Sequence, residues 1–137
     1  MPNVKEYVSI RKLGSTKDMK ALDAGIGCRF EDANGLNAFY HNGEPMQYLG
    51  YIEFAPNKSR GDHYHKIEAE NLCLIKGNLR AAYYLPDSPD EKLTIDLSPG
   101  DVVTVRPGCV HSYVSKKVAV ALVYAPEKFN SADVYKI

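Results

Sequence analysis

His63-Tyr64-His65, with Glu70 following after four intervening residues and His111 set just past Pro107-Gly108, are the residues of this chain whose types and spacing can do chemistry. Two histidines one residue apart on a strand project from the same face, because side chains alternate with a period of two. A carboxylate at the start of the next strand completes the cluster if the two strands pair. His111 supplies a fourth group from a remote strand. Three nitrogens and one oxygen make a donor set suited to Fe, Mn, Ni, Co or Zn. The chain has 4 histidines, and all but His41 fall in this pattern. His and Glu gathered on one inward face are costly without an ion or ligand to satisfy them. The cluster therefore reads as a site for one divalent transition metal, and the donors alone leave Zn, Fe, Mn and Ni open.

Strands are the elements that must position these groups. Segments 48–55, 71–76, 79–85, 93–97, 101–105, 111–114 and 118–124 are rich in β-branched and aromatic residues and are separated by Gly, Pro, Asn or Asp. Such even spacing favours an all-β sandwich or barrel over alternating β and α units. Ser15-Thr16-Lys17-Asp18 reads as a helix start, with Met19 and Leu22 on one face and Gly25 beyond the end. Segment 31–45 is polar and turn-rich, and is expected as a loop or edge hairpin. On such strands Glu70, Leu72 and Leu74 share a face, and so do His111 and Tyr113. That places the Tyr113 hydroxyl in the cavity of the histidines, and Tyr83 or Tyr84 enters it too, according to register.

Composition sets the outer limits. A chain of 137 residues reads as one domain, 1–137, with room for a core. Lys plus Arg and Asp plus Glu balance at 17 each, so no overall field draws it to nucleic acid or an anionic membrane. No apolar run is of signal-peptide or membrane-spanning type. Cys28, Cys73 and Cys109 are odd in number and far apart, which argues against a disulfide framework and for a reducing, cytoplasmic setting.

The spacing of His63, His65, Glu70 and Gly77, answered by Gly100, Gly108 and His111, resembles the two motifs of the cupin family. Three positions depart from that pattern: Asn57 stands for the first glycine, Arg106 for the proline of Pro-X-Gly, and Ser115 for the final asparagine. Asn57 to Ser115 forms the motif core. The resemblance implies an all-β, cupin-type double-stranded β-helix, a jelly-roll barrel with minor helix. It implies His63, His65, Glu70 and His111 as metal ligands.

A second run, Arg60-Gly61-Asp62-His63-Tyr64-His65, is similar to barrel enzymes that isomerise or epimerise nucleotide-linked 4-keto-6-deoxy sugars. It also looks like the cupin domain of a capsular-polysaccharide enzyme, and the tail with Asp133-Val134-Tyr135 has the same character. In that setting Arg60 holds a diphosphate by a bidentate contact, Lys58 adds a point charge, and Tyr83 is a further substrate contact. The chemistry implied is an isomerase or epimerase step in polysaccharide or other carbohydrate biosynthesis, in which a proton moves beside a ketone through an enediolate. A bound metal polarises the keto oxygen, and Tyr113, His41 and Glu53 are candidates for the base. Without metal, His63 or His65 is the base. Two other readings use the same ligands: an Fe- or Mn-dependent cupin dioxygenase, and a non-catalytic small-molecule-binding cupin. The expected partners are a small-molecule substrate and a second copy of the chain in a homodimer, because exposed edge strands of such barrels are commonly covered. Segment 4–10 is the candidate for an exchanged or added strand.

Overall fold

The computed structural model describes residues 2–13, 17, 19–20, 27–39 and 43–137. Two five-stranded antiparallel sheets face one another. One runs, in spatial order, through β1 (Val8–Lys12), β9 (Asp101–Val105), β6 (Glu70–Lys76), β11 (Ala119–Ala125) and β4 (Tyr48–Phe54). The other runs through β12 (Tyr135–Lys136), β5 (Arg60–Tyr64), β10 (Val110–Val114), β7 (Leu79–Tyr84) and β8 (Leu93–Leu97). A separate hairpin pairs β2 (Cys28–Asp32) with β3 (Gly35–Phe39), where a loop or edge hairpin was expected to begin. All seven strands read from the sequence are present, displaced by at most a residue at each end. Because chain neighbours from β4 onward alternate between the sheets, the β7–β8 hairpin excepted, the whole is a double-stranded β-helix, or jelly roll.

Alternation explains the core. β11 buries Ala119, Ala121, Val123 and Ala125 and half-exposes the residues between them, the pattern of a strand with one face on the core. Its small side chains leave room for the large ones brought by its sheet neighbours, Phe54 and Leu74, and by the facing sheet, Tyr83. β6 and β9 show longer buried runs, Asn71–Leu74 and Asp101–Val103.

Helix is minor. Val4–Glu6 forms a single 3-10 turn capped by the Asn3 side chain. Of the helix expected from Ser15, the residues Ser15, Thr16, Asp18, Leu22 and Gly25 lie outside the described residues; Met19 and Lys20 form part of a 3-10 turn. Of segment 4–10, the candidate for an exchanged or added strand, Val8–Ile10 belong to β1, which continues the sheet of its own chain by pairing Val8 with Val105 through Lys12 with Asp101. Among the described residues no helix is long and apolar enough to cross a membrane.

Candidate functional site

The cluster is built by facing sheets. His63 sits on β5 directly opposite His111 on β10, and His65 lies one residue past the end of β5. Glu70 opens β6, which belongs to the other sheet and pairs with β9 and β11. The expectation that the carboxylate arrives by pairing with the histidine strand is therefore corrected: Glu70 reaches the histidines across the barrel interior. A loop of five residues is long enough to carry the chain from one sheet to the other, so the next strand need not be a paired one.

A bulge aims the first histidine. Across from β5, Tyr113 faces Arg60, Ser112 faces Gly61 and His111 faces His63, which leaves Asp62 unmatched. Asp62 takes a left-handed φ of 57° and Gly61 a φ of 109°, conformations that aspartate tolerates and glycine favours. Residues three apart on a regular strand point to opposite faces; one extra residue brings them back to the same one. Arg60 and His63 accordingly both line the cavity. No Cβ fits at Gly61, where it would lie 2.5 Å from the His111 carbonyl oxygen. Asn57, in the place of a family glycine, also adopts a left-handed φ, 60°, and its N–H donates to the Ser115 carbonyl at 2.7 Å. Two of the three motif departures thus sit on one turn contact and leave the cluster intact.

The four donor groups lie within 4.8 Å of one another. His65 Nε2 is 3.3 Å from Glu70 Oε2 and 3.3 Å from Glu68 Oε2, and His111 Nε2 is 3.5 Å from Glu70 Oε2. His65 Nδ1 lies 2.6 Å from the Asp133 carbonyl and His111 Nδ1 3.3 Å from the Cys109 carbonyl. A carbonyl only accepts, so Nδ1 carries the proton in both rings and Nε2 is the inward nitrogen. Outer hydrogen bonds of this type orient metal-ligating histidines. His63 Nδ1 and His111 Nε2 are buried without a hydrogen-bond partner among the described residues, which is the state expected of donors meant for an ion or a substrate.

Electrostatics divide the histidines. Burial, with the nearby His111 and His65, lowers the His63 pKa to about 4, so its ring is neutral. Burial opposes charge on His65 too, but its hydrogen bonds to Glu70 and the Asp133 carbonyl and the charges of Glu68 and Glu70 prevail and raise it to about 9. Glu70 is held far below the carboxylate range: burial pushes it up, and His111 and His65 more than reverse this. Burial pushes the Tyr113 hydroxyl well above its usual value, with the Tyr83 hydroxyl and the charge of Glu70 adding to it. It remains a phenol at neutral pH.

The cavity has a volume of about 190 Å³ and is walled by Tyr48, Ile52 and Phe54 from β4 and by Phe129 and Val134 from the C-terminal segment. A neighbouring hollow of about 430 Å³ shares Phe54, Arg60 and Gly61 with it and adds Lys58 and Lys136. A larger hollow of about 660 Å³, around Arg80, Lys116 and Lys117, contains none of the cluster residues; the buried, convergent donors make the smaller one the candidate site.

No protein-family model matches the chain, and no curated protein matches it in sequence. Solved structures do. A sugar 3,4-ketoisomerase, QdtA of Thermoanaerobacterium thermosaccharolyticum in complex with TDP, superposes with a TM-score of 0.73 at 19% identity, covering 96% of this chain and 88% of that one. A 3,4-ketoisomerase from Helicobacter canadensis gives 0.74 at 16% identity, with 95% and 90% covered. The 3'-monoepimerase ChmJ of Streptomyces bikiniensis, in complex with dTDP-quinovose, gives 0.73 at 13%, with 95% and 69% covered. The fold is the cupin barrel.

The cupin barrel brings together His63, His65, Glu70, His111, Tyr113 and Arg60 around one cavity. It does not bring the other candidates there. Glu53 is exposed on the outer face of β4, since Ile52 and Phe54 take the inward positions on either side of it. Tyr83 is inward but fully buried behind the wall, its hydroxyl 3.4 Å from that of Tyr113, so it supports Tyr113 and does not reach the cavity. Lys58 is exposed and lines only the neighbouring hollow. His41 lies outside the described residues. Cys109 is a packing residue, its thiol pushed up to about 11 by burial. Sequence reasoning missed Glu68, a buried carboxylate on the cavity wall. Burial pushes its pKa up, and the Glu70, Asp133 and Glu127 carboxylates add to that against the pull of His65. Its spacing two residues before Glu70 was the available signal.

Proposed function

We propose that this cupin is an isomerase or epimerase of a nucleotide-linked 4-keto-6-deoxy sugar, with one divalent transition metal held by His63, His65, Glu70 and His111. The observation that carries the reading is the shared face of Arg60 and His63: a guanidinium at the mouth and a polar cluster inside, on one wall. The cavity of about 190 Å³ suits a sugar ring, and the hollow beside it, with Lys58, Arg60 and Lys136, suits an anionic diphosphate outside it. Neighbours in fold that are sugar 3,4-ketoisomerases or epimerases support the same class.

The donor set fits a metal: two inward Nε2 atoms with backbone-anchored Nδ1–H groups, a carboxylate held ionised, and unpartnered nitrogens on His63 and His111. When bound, a metal supplies Lewis-acid polarisation of the keto oxygen. The chain's own residues do the rest. Arg60 anchors the diphosphate so that the hexose enters ring first. Phe129, stacked on Tyr48, and Val134 line the C-terminal side of the cavity and narrow its opening to water. Glu68, the cavity-wall carboxylate outside the ligand set, takes the proton from the carbon beside the ketone. Tyr113, a phenol whose hydroxyl is braced by Tyr83, gives one to the enediolate, the two groups resetting by proton exchange with solvent; the face Tyr113 reaches decides the product. In a metal-free second reading, favoured by its neutral ring and unpartnered Nδ1, His63 is the base and the protonated His65 polarises the ketone.

Incubation with dTDP-4-keto-6-deoxyhexoses in deuterated water is expected to place solvent deuterium at the carbon next to the ketone. No incorporation across several such sugars rejects the reading. Elemental analysis of protein purified without chelators separates its two forms. About one equivalent of metal, lost in a His63→Ala, His65→Ala, His111→Ala triple variant, supports the metal form; none, even after reconstitution, supports the other.

A further inference from the structure

The C-terminal segment grips the loop that carries the ligands. Asp133 is buried, and its carboxylate accepts the backbone N–H groups of Lys66 at 2.8 Å, Ile67 at 3.1 Å and Glu68 at 3.0 Å. Its own carbonyl takes the His65 Nδ1–H at 2.6 Å. Glu127 Oε1 accepts the remaining N–H of the loop, that of Ala69, at 2.7 Å. Every amide between His65 and Glu70 is thus held by a carboxylate from a segment some sixty residues away in the chain. β12, immediately after Asp133, pairs Tyr135 with Tyr64 and Lys136 with His63, which fixes the same segment to the histidine strand.

We propose that Asp133 is the positioning residue of the cluster: one residue holds the His65 ring through its carbonyl and the His65–Glu70 loop through its carboxylate, and so sets the aim of both donors. Charge-assisted bonds to backbone amides are about twice as strong as neutral ones, and three of them converge on this side chain. The proposal rests on the reading of the cluster as a metal site, because its main consequence is metal affinity. Loss of an outer partner of this type typically costs 10–100-fold in affinity.

The test uses the full chain, metal-free wild type, Asp133→Ala and Asp133→Asn, titrated calorimetrically with Zn²⁺ and with Mn²⁺. Amide exchange and ¹⁵N NMR of the imidazoles are measured alongside. In Asp133→Ala the Lys66, Ile67 and Glu68 amides are expected to lose protection while those of β6 and β11 keep it. The His65 Nδ1–H resonance is expected to exchange away, and affinity to fall about 10–100-fold. Freed amides with unchanged affinity reduce Asp133 to a structural cap and overturn the proposal. If the wild type binds neither ion, the metal reading falls and the His65 Nδ1–H resonance decides: its loss in the variant supports positioning, its persistence rejects it. Should Asp133→Ala fail to fold, Asp133→Asn, which keeps one acceptor oxygen and loses the charge, is judged by the same two readouts.

Discussion

His65 and His63 titrate in opposite directions, and the consequence is a stability profile for chelator-treated protein. The folded pKa of His65, about 9, exceeds the ordinary 6.5, so its contribution is fully present below pH 6.5 and is lost as pH rises through 9. A shift of this size corresponds to about 3 kcal/mol at 1.36 kcal/mol per unit. His63 is lowered to about 4, so stability is lost as pH falls from 6.5 toward 4, and the depressed Glu70 adds to that acid limb. Urea midpoints measured from pH 4 to pH 9.5 are therefore expected to peak near pH 6.5. His65→Gln should flatten the alkaline limb; a wild type already flat from 6.5 to 9 contradicts the pairing of His65 with Glu70. Tyr113→Phe removes the proposed proton donor and one weak hydrogen bond to Tyr83. Turnover should fall about 10²–10⁴-fold with a stability change of about 1 kcal/mol. Activity within twofold of wild type assigns the proton to another group.

At the scale of elements, the β5 bulge decides what the Arg-Gly-Asp-His run means. Read as a regular strand, residues 60 and 63 face opposite ways; Gly61 and Asp62, both at positive φ, bring them together. Gly61→Ala introduces a Cβ against the His111 carbonyl and a strained backbone. It should cost about 2–4 kcal/mol and disturb the cluster as well as the fold. A denaturation midpoint unchanged by this substitution tells against the bulge. The strands themselves were legible because alternation and turn residues are local signals. The bulge was not, since glycine and aspartate in sequence mark a turn as readily as a kink inside a strand. The short β12 carries too few apolar residues for a pattern to emerge; tertiary pairing creates it.

For the molecule as a whole, β1 and β4 are the edges of one sheet. β4 shows Leu49 and Tyr51 to solvent, both more than half exposed. Unprotected edges with apolar side chains invite a second copy. We therefore propose a homodimer, and light scattering at micromolar concentration is expected to return the mass of two chains. A mass of one chain dismisses it. Leu49→Lys with Tyr51→Lys should shift a dimer built on this edge toward monomer; no shift places the contact elsewhere, with β1 the remaining edge of that sheet.

The chain by itself picked out His63, His65, Glu70 and His111 as a cluster and the strands around them, because donor types and period-two patterning are local properties. It also marked Asn57, Gly77, Gly100 and Gly108 as turn positions, all of which adopt positive φ. Only the tertiary structure decided how the donors meet. Glu70 comes from the facing sheet, Arg60 turns inward at a bulge, Glu53 turns outward, and Asp133 clasps a loop far away in sequence. Each of these depends on which sheet a strand joins and on side chains meeting across the barrel. Those contacts are set by packing between distant segments, which no local pattern encodes.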